Sequence, residues 1–553
     1  MKAKNLFFGA LTCLAFAACS NDDEPIVNGG AQAEGGQYLA VNIVNPTANT
    51  RANVYEEGTG SETKVNDVIL VFLDGTKIIL AKEAELEDKD GVEDGDNDEW
   101  NGGDTAPETE KISTAVVYLV PSETQGNPTA MLAILNGSKF GLNAATIIGK
   151  GTLSALLNEI SNYDVEDDYF LMTNSVWKEN ADAATEIKET DFKSSKDLAQ
   201  NNPVDIYVER VVAKIKVNQA ASITYHEDYK KGYTVFDKDL KASTKFIKPL
   251  ILGYHLAASA QESHLLKKID AGWTTAGWND ATNMRSYWAE SPDLTDKLNY
   301  NRFSTWQYAP ADGETYREFY CQENTTASPT KMVVLAEHKI VVNATDIPTS
   351  SSTDLDNLIY CNGGYYDSED AYIALLANEL SKKYKVSDPS WDWSAHLEVS
   401  RPYDTDNTAK QWTIIAQLKD FSAVTFTDLL DAAVTSDAIN NSLKDDYSGL
   451  YWKDGKAYYY VDVKHDLPSP MNVGVVRNHV YQLTISSIKG LGSPVYDPND
   501  DDPEDTTPDL PTDPDPETPI IPETPTYEET YVAARINVLK WRIVTSQNVN
   551  LGQ

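Results

Sequence analysis

The chain has 553 residues and a formal net charge of −39, from 85 Asp and Glu against 46 Lys and Arg. That balance excludes nucleic acid as a partner, because phosphate contacts need clustered Lys and Arg. The 30 Tyr suit the half-buried strands of a β protein, and the length admits about two to four domains.

Met1-Lys2-Ala3-Lys4 is a short basic region, and Leu6 to Ala18 is apolar apart from Thr12. Residues 1–18 are predicted to be a signal peptide, since the apolar run is too short to span a bilayer. Small residues precede Cys19, and the acidic run Ser20-Asn21-Asp22-Asp23-Glu24 follows it. An ordinary signal peptide followed by a stray Cys is the plainer alternative. Asn21–Gly36 is polar and Gly-rich, a tether. Tyr38–Val44 predicts a short strand with Leu39, Val41 and Ile43 on one face. The polar span Pro46-Thr47-Ala48-Asn49-Thr50-Arg51-Ala52 offers an exposed basic residue of the kind proteolysis needs.

Val65–Leu73 and Lys77–Leu80 read as strands about the turn Asp74-Gly75. Glu83–Lys111 is an acidic loop in which Asp94, Asp96 and Asp98 alternate. An EF-hand would need Gly where Glu99 stands and Glu where Thr105 stands. Weak Ca²⁺ binding by residues 88–99 is therefore set against a plain solvated loop. Ala115–Val120 and Met131–Leu135 predict strands, Thr152–Ile160 a helix through Leu153, Leu156, Leu157 and Ile160, and Tyr169–Met172 and Ile206–Val217 further strands. Short strands with turn-rich joints indicate a β-sandwich over residues 52–220.

A second block, 221–496, has predicted strands at Phe246–Tyr254, Lys331–Val342, His396–Val399, Trp412–Leu418, Ala457–Lys464 and Val480–Ile488. Helices are predicted over Glu369–Tyr384 and Thr427–Leu443. Trp273–Tyr320 lacks periodicity and reads as a long loop. Of the four Cys, Cys321 and Cys361 fall in this block. They could bridge in an oxidising compartment or stay as buried thiols, and spacing alone does not decide.

The seven His form no His-x-x-x-His pair, and there is no Cys-x-x-Cys, phosphate-binding Gly loop or Gly-x-Ser-x-Gly elbow. No metal, cofactor or catalytic residue is expected, and the chain is not read as an enzyme.

Asp497–Pro525 is a run of Pro, Asp, Glu and Thr that cannot build a core, and residues 497–526 are predicted to be a linker. Within residues 527–553 the sequence returns to strand, with Val532, Ala534, Ile536 and Val538 on one face, then Trp541 and Ile543 on the other. A bulge or kink near Leu539 would explain the change of face. A strand on a tether has backbone groups to satisfy and must join a sheet, in its own subunit or in the next.

Four segments stand out in order: Phe170–Ser175, Val208–Val217, Gly474–Ile485 with Ile488-Lys489-Gly490-Leu491-Gly492, and Val538–Leu551. As an ordered set they resemble the fimbrillins of Bacteroidales, the subunits of type V pili, with the minor-fimbrium shaft subunits nearest. Val208–Val217 looks like the strand that closes their N-terminal domain, and Phe170–Ser175 looks like the segment preceding it. Gly474–Ile485 with Ile488-Lys489-Gly490-Leu491-Gly492 resembles their last C-terminal strand, and Val538–Leu551 resembles their tail. The resemblance implies a mainly β fold of two transthyretin-like β-sandwiches with a few short helices and an extended C-terminal donor strand. It implies a lipoprotein precursor lipidated at Cys19, held at the outer membrane through that lipid, with residues 19–51 as a propeptide that carries the first strand. An Arg-specific surface protease would cut between Arg51 and Ala52. The slot so opened would take the donor strand (Val532, Ala534, Ile536, Val538, Trp541, Ile543) of another copy, building a head-to-tail homopolymer alongside other fimbrial subunits. Arg51 as an ordinary loop residue is the plainer alternative.

Two other functions compete. The chain could be a lipid-anchored surface protein that binds glycans or host molecules through a Trp273, Trp278, Trp288 and Trp306 platform, or a pilus tip or anchor subunit.

Overall fold

The structure is a computed structural model, which describes residues 37–46, 58, 60–87, 109–119, 126–175, 184–269, 290–292, 298–300, 307–308, 316–324, 330–400, 413–463, 465, 474–494, 531–540 and 544–548. The fold is mainly β. The first body contains β1 (Gln37–Pro46), β2 (Val68–Asp74), β3 (Lys77–Glu83), β4 (Glu85–Glu87), β5 (Thr109–Leu119), β6 (Ala130–Leu135), β7 (Ile160–Ser161), β8 (Met172–Asn174), β9 (Thr185–Glu186) and β10 (Val204–Arg210). The pairing order is β3-β2-β6-β8-β10-β1-β5-β4. β10 makes the corner: Val204–Tyr207 pair with β1, and Val208–Arg210 pair with β8.

Alternation along these strands puts Leu39, Leu70, Phe72, Val117, Leu135, Ile206 and Val208 into one core between the two sheet faces. The opposite side chains of β2 and β6, including Ile69, Val71 and Leu132, pack under α1 (Ala144–Lys150) and α2 (Leu153–Leu157) through Ile147 and Leu156. The helix expected over Thr152–Ile160 is this shorter α2. Thr152 caps it by accepting from the Ala155 amide, and Ile160 already begins β7.

The single strand expected over Ile206–Val217 is two. Val211 donates to the Leu171 carbonyl at 3.0 Å, and the chain then enters the second sheet as β11 (Val212–Tyr225). β11 runs antiparallel to the strand Arg317–Gln322 and parallel to His479–Lys489. Residues 212–225 therefore pair in the second body, whereas the division read from the sequence was placed near 220.

The second body is built on the ladder of Ala242–Ala260, Lys331–Val341 and Lys456–Asp462. Its core includes Ile215, Tyr254, Val334, Tyr459, Tyr481 and Leu483. Arg317–Gln322 forms a strand within the span read as a loop, because its alternate residues Phe319 and Cys321 face this core. A separate cluster gathers α4 (Glu369–Lys383) and α5 (Ser436–Tyr447) around Trp393, Phe426 and Tyr451. The helix expected over Thr427–Leu443 begins later, after the N-cap Thr435. The Asp428 side chain accepts from the Leu430 and Ala432 amides at 2.8 and 2.9 Å, and Asp431 takes φ 66°. That turns the chain into a hairpin where the apolar spacing alone suggested a helix.

Cys321 and Cys361 are both free and buried. They sit in different clusters, Cys321 in the second-body core and Cys361 beside α4, so the bridge weighed from the sequence is not formed. Burial pushes the Cys361 thiol up to about 12 and Cys321 higher still. Among the described residues no helix is long and apolar enough to cross a membrane.

Candidate assembly site

β1 is an internal strand. On one side it runs parallel to β10, with Val41 opposite Val204, Asn42 opposite Asp205, Ile43 opposite Ile206 and Val44 opposite Tyr207. On the other it runs antiparallel to β5 from Gln37–Leu119 to Pro46–Thr109, with an irregularity between Val44 and Pro46. The strand expected at Tyr38–Val44 lies inside it. Leu39 is 0% exposed and belongs to the sandwich core. Burying a side chain of that size stabilises by about 2 kcal/mol.

The outward face of β1 is also covered. α3 (Lys196–Gln200) begins at Ser195, whose hydroxyl accepts from the Leu198 amide. It lays Ala199 against Ala40 and against Val116, the cross-strand neighbour of Ala40 on β5. β1 thus fills a slot with two strand walls, a core floor and a helical roof. Without β1, both walls would lose a ladder partner and the core would lose Leu39.

The chain just after residues 51–52 is held differently. Glu62 is fully buried. Its carboxylate receives the Lys214 ammonium at 2.9 Å and the Tyr320 hydroxyl at 2.7 Å, and its carbonyl accepts from Arg210 Nε at 2.8 Å. Burial, and then the Glu62 charge, push the Tyr320 hydroxyl well up. Residues 60–63 are therefore fastened by charge and hydrogen bonding to β10, β11 and the strand Arg317–Gln322, independently of β1.

The two bodies are joined by further buried charge. Arg477 Nε donates to Glu323 at 2.9 Å, and its other nitrogens donate to the Leu265 and His264 carbonyls. Lys267 meets Glu209 on β10 at 3.1 Å. Ser263 and His264 pair with β7, while Leu265 and Leu266 enter the first body's outer core.

At the other end, the tail strand Tyr531–Lys540 lies in its own subunit, antiparallel to His479–Lys489 from Tyr531–Lys489 to Lys540–His479. Val544–Asn548 pairs back on it. The unsatisfied ladder expected of the tail thus finds the edge of the second body, the fold-back alternative. Val532, Ala534, Ile536 and Val538 are on this strand. Trp541 and Ile543 lie outside the described residues, as do the signal segment, Cys19, Arg51, Ala52, the linker, the 88–99 loop and Trp273, Trp278, Trp288 and Trp306.

Ala40, Ala199 and Glu62 were not singled out from the sequence. Ala40 carries a signal in hindsight, a small residue between Leu39 and Val41 in an otherwise bulky strand. Glu62 carries none, since an isolated Glu in a polar stretch reads as solvated. Among the described residues no group of three His, Cys, Asp or Glu is placed to hold a metal ion.

No curated protein matches the chain. Among solved structures, the chain is similar to a protein assigned to cell adhesion from Parabacteroides distasonis at 13% identity, covering 92% of this chain and 98% of that one, with a TM-score of 0.36. It is similar to a fimbrilin from Porphyromonas gingivalis at 13% identity, over 82% and 91% of the two chains, with a TM-score of 0.29. The tip fimbrial protein Mfa3 of the same organism, truncated at its C-terminus, gives 10% identity over 82% and 95%, with a TM-score of 0.27. At scores this low the weight falls on the family match. Residues 450–547 match the sequence model of the family Major fimbrial subunit protein type IV, Fimbrillin, C-terminal. That match spans the strand His479–Lys489 and most of the tail, so over those residues the chain is similar to the C-terminal part of the fimbrillins.

Proposed function

We propose that this chain is a fimbrial shaft subunit, made as a surface lipoprotein and polymerised by donor-strand exchange once an Arg-specific protease cuts after Arg51. The observation that carries the reading is β1. It precedes Arg51, it fills a slot between β10 and β5, and a buried anchor at Glu62 would keep the rest of the chain in place after the cut. Before cleavage β1 is tethered and rebinds at high effective concentration. Afterwards it is a separate peptide, and its departure gains translational entropy.

A tail strand of another subunit would then satisfy both walls by β-augmentation. In its own subunit the tail has one body edge to pair with; the slot offers two. The fold-back pairing therefore stores the donor strand without competing on equal terms. At full polyproline extension, ~3.1 Å per residue, a linker of roughly 29 residues would reach on the order of 90 Å, enough to cross to a neighbour. Such head-to-tail contacts are heterologous and open, so they give filaments.

The test is digestion of the whole precursor with an Arg-specific protease. The expected product begins at Ala52 and runs as a ladder on unheated gels, while Arg51→Ala keeps its leader and stays monomeric. Equal ladders from Arg51→Ala would overturn the reading.

A further inference from the structure

The leader strand and the tail strand share a pattern. Tyr38-Leu39-Ala40-Val41-Asn42-Ile43-Val44 lies over Tyr531-Val532-Ala533-Ala534-Arg535-Ile536-Asn537 with Tyr, Ala and Ile at the same spacing. The face of Leu39, Val41 and Ile43 becomes Val532, Ala534 and Ile536, apolar throughout.

The roof of the slot makes this spacing selective. Ala40, Val116 and Ala199 form one buried cluster, with Ala40 and Ala199 both 0% exposed. A longer side chain at the Ala40 position would meet α3, whose Lys196 reaches Glu85 on β4 at 3.4 Å. Within Tyr531–Lys540 alanine occurs only at 533 and 534. Placing Ala534 under α3 would turn the Arg535 charge and the Asn537 amide toward the apolar core around Phe72 and Val117, where burying them is costly. Reversing the strand about Ala533 would bring Thr530 and Glu528 to the positions of Ile43 and Asn45. Only Ala533 under α3, with the strand parallel to β10, keeps the core face apolar and restores Ile at the Ile43 position.

That alignment carries a charge match which does not enter its derivation. Asn42 stands opposite Asp205 on β10. In its place the tail supplies Arg535, which brings an opposite charge to the Asp205 carboxylate across the strands.

Resting on the strand-exchange reading above, we propose that the tail of a second copy enters the slot in the register of β1, parallel to β10, with Ala533 beneath Ala199 and Arg535 opposite Asp205. α3 is then a register gate. It admits a donor strand only where a small residue passes under it, and the Asp205 charge favours the strand that brings Arg two positions later.

The test uses the full-length protein, cleaved after Arg51 and oxidised. Ala199→Cys combined with Ala533→Cys is expected to give a reducible covalent ladder between subunits. Ala199→Cys with Val532→Cys or Ala534→Cys is expected to polymerise without covalent bonds. As a second measurement, Asp205→Arg and Arg535→Asp each slow ladder growth several-fold, and the double reversal in one chain restores it. Ladders that cross-link through position 532 or 534, or a double reversal as slow as each single change, overturn the register while leaving strand exchange standing. Failure of the cleaved wild-type chain to form any ladder overturns both.

Discussion

His338 shows how one buried side chain sets a pH limit on the second body. Its Nε2 lies 2.7 Å from the Leu491 carbonyl, its Nδ1 is buried without a partner, and its backbone amide donates to Gly455. Burial lowers its pKa to about 4. The folded state holds a neutral ring, so the unfolded chain binds the extra proton between about pH 6.5 and 4. The stability is complete above pH 6.5 and falls as the pH drops through that window, by about 2 kcal/mol at pH 5. Half-buried His255 and buried His264 are lowered in the same direction. His338→Gln, which keeps a donor for Leu491, should flatten the fall in melting temperature between pH 7 and 5; an unchanged slope would remove His338 from this account. Glu62 offers the complementary residue-scale test. Glu62→Gln removes the buried charge facing Lys214, leaving the half-exposed Glu318 at 3.1 Å as an acidic partner. A loss of about 3 kcal/mol in urea unfolding is expected, and a change below about 0.5 kcal/mol would show that the remaining partners suffice.

At the scale of elements, β1 and α3 act together, since α3 roofs the slot over the strand that the cut would release. A disulfide from Ala40→Cys to Ala199→Cys should fasten β1 under its roof. The oxidised double variant is expected to be cut after Arg51 yet keep the leader and stay monomeric, and reduction should release both leader and ladder. Polymer growth from the oxidised form at the wild-type rate would mean that β1 need not leave. Both ends of this scheme were legible as strands, because Leu39-Val41-Ile43 and Val532-Ala534-Ile536 alternate with a two-residue period. What filled the space between them was less legible. α3 is five residues long, too short for a 3.6-residue period to register, and only its Ser195 cap marks it. The Asp428–Asp431 turn hid inside a helical spacing because a side-chain cap on the backbone leaves no periodic trace. β10 and β11 merged into one expected strand because the corner at Val211 is made by tertiary pairing, with no Gly or Pro to announce it.

For the molecule as a whole, the junction and the tail divide the work of a filament between stiffness and reach. Lys214–Glu62 and Lys267–Glu209 are buried ion pairs that tie β11 and the segment 263–267 to the first body, and Arg477, paired with Glu323 inside the second body, donates to the Leu265 and His264 carbonyls of that segment. Breaking any one removes a partner from a buried charge, so the two bodies resist hinging. The tail sits outside this weld, paired along His479–Lys489 with Val538, Ile536 and Ala534 opposite the core residues Tyr481, Leu483 and Ile485. Removing residues 527–553 should lower the melting transition of the second body, which loses a ladder partner, while leaving the first body folded and its own slot intact. Such a chain can accept a donor strand but cannot supply one. After cleavage at Arg51 it is expected to remain monomeric alone, and to shorten the ladders of the intact protein when mixed in at about one part in ten, because each copy that docks ends a filament. Size-exclusion chromatography and unheated gels of the two mixtures check both outcomes. If the truncated chain grows fibres alone, or leaves the length of mixed fibres unchanged, the tail is not the connector and the slot beneath α3 is filled by something else.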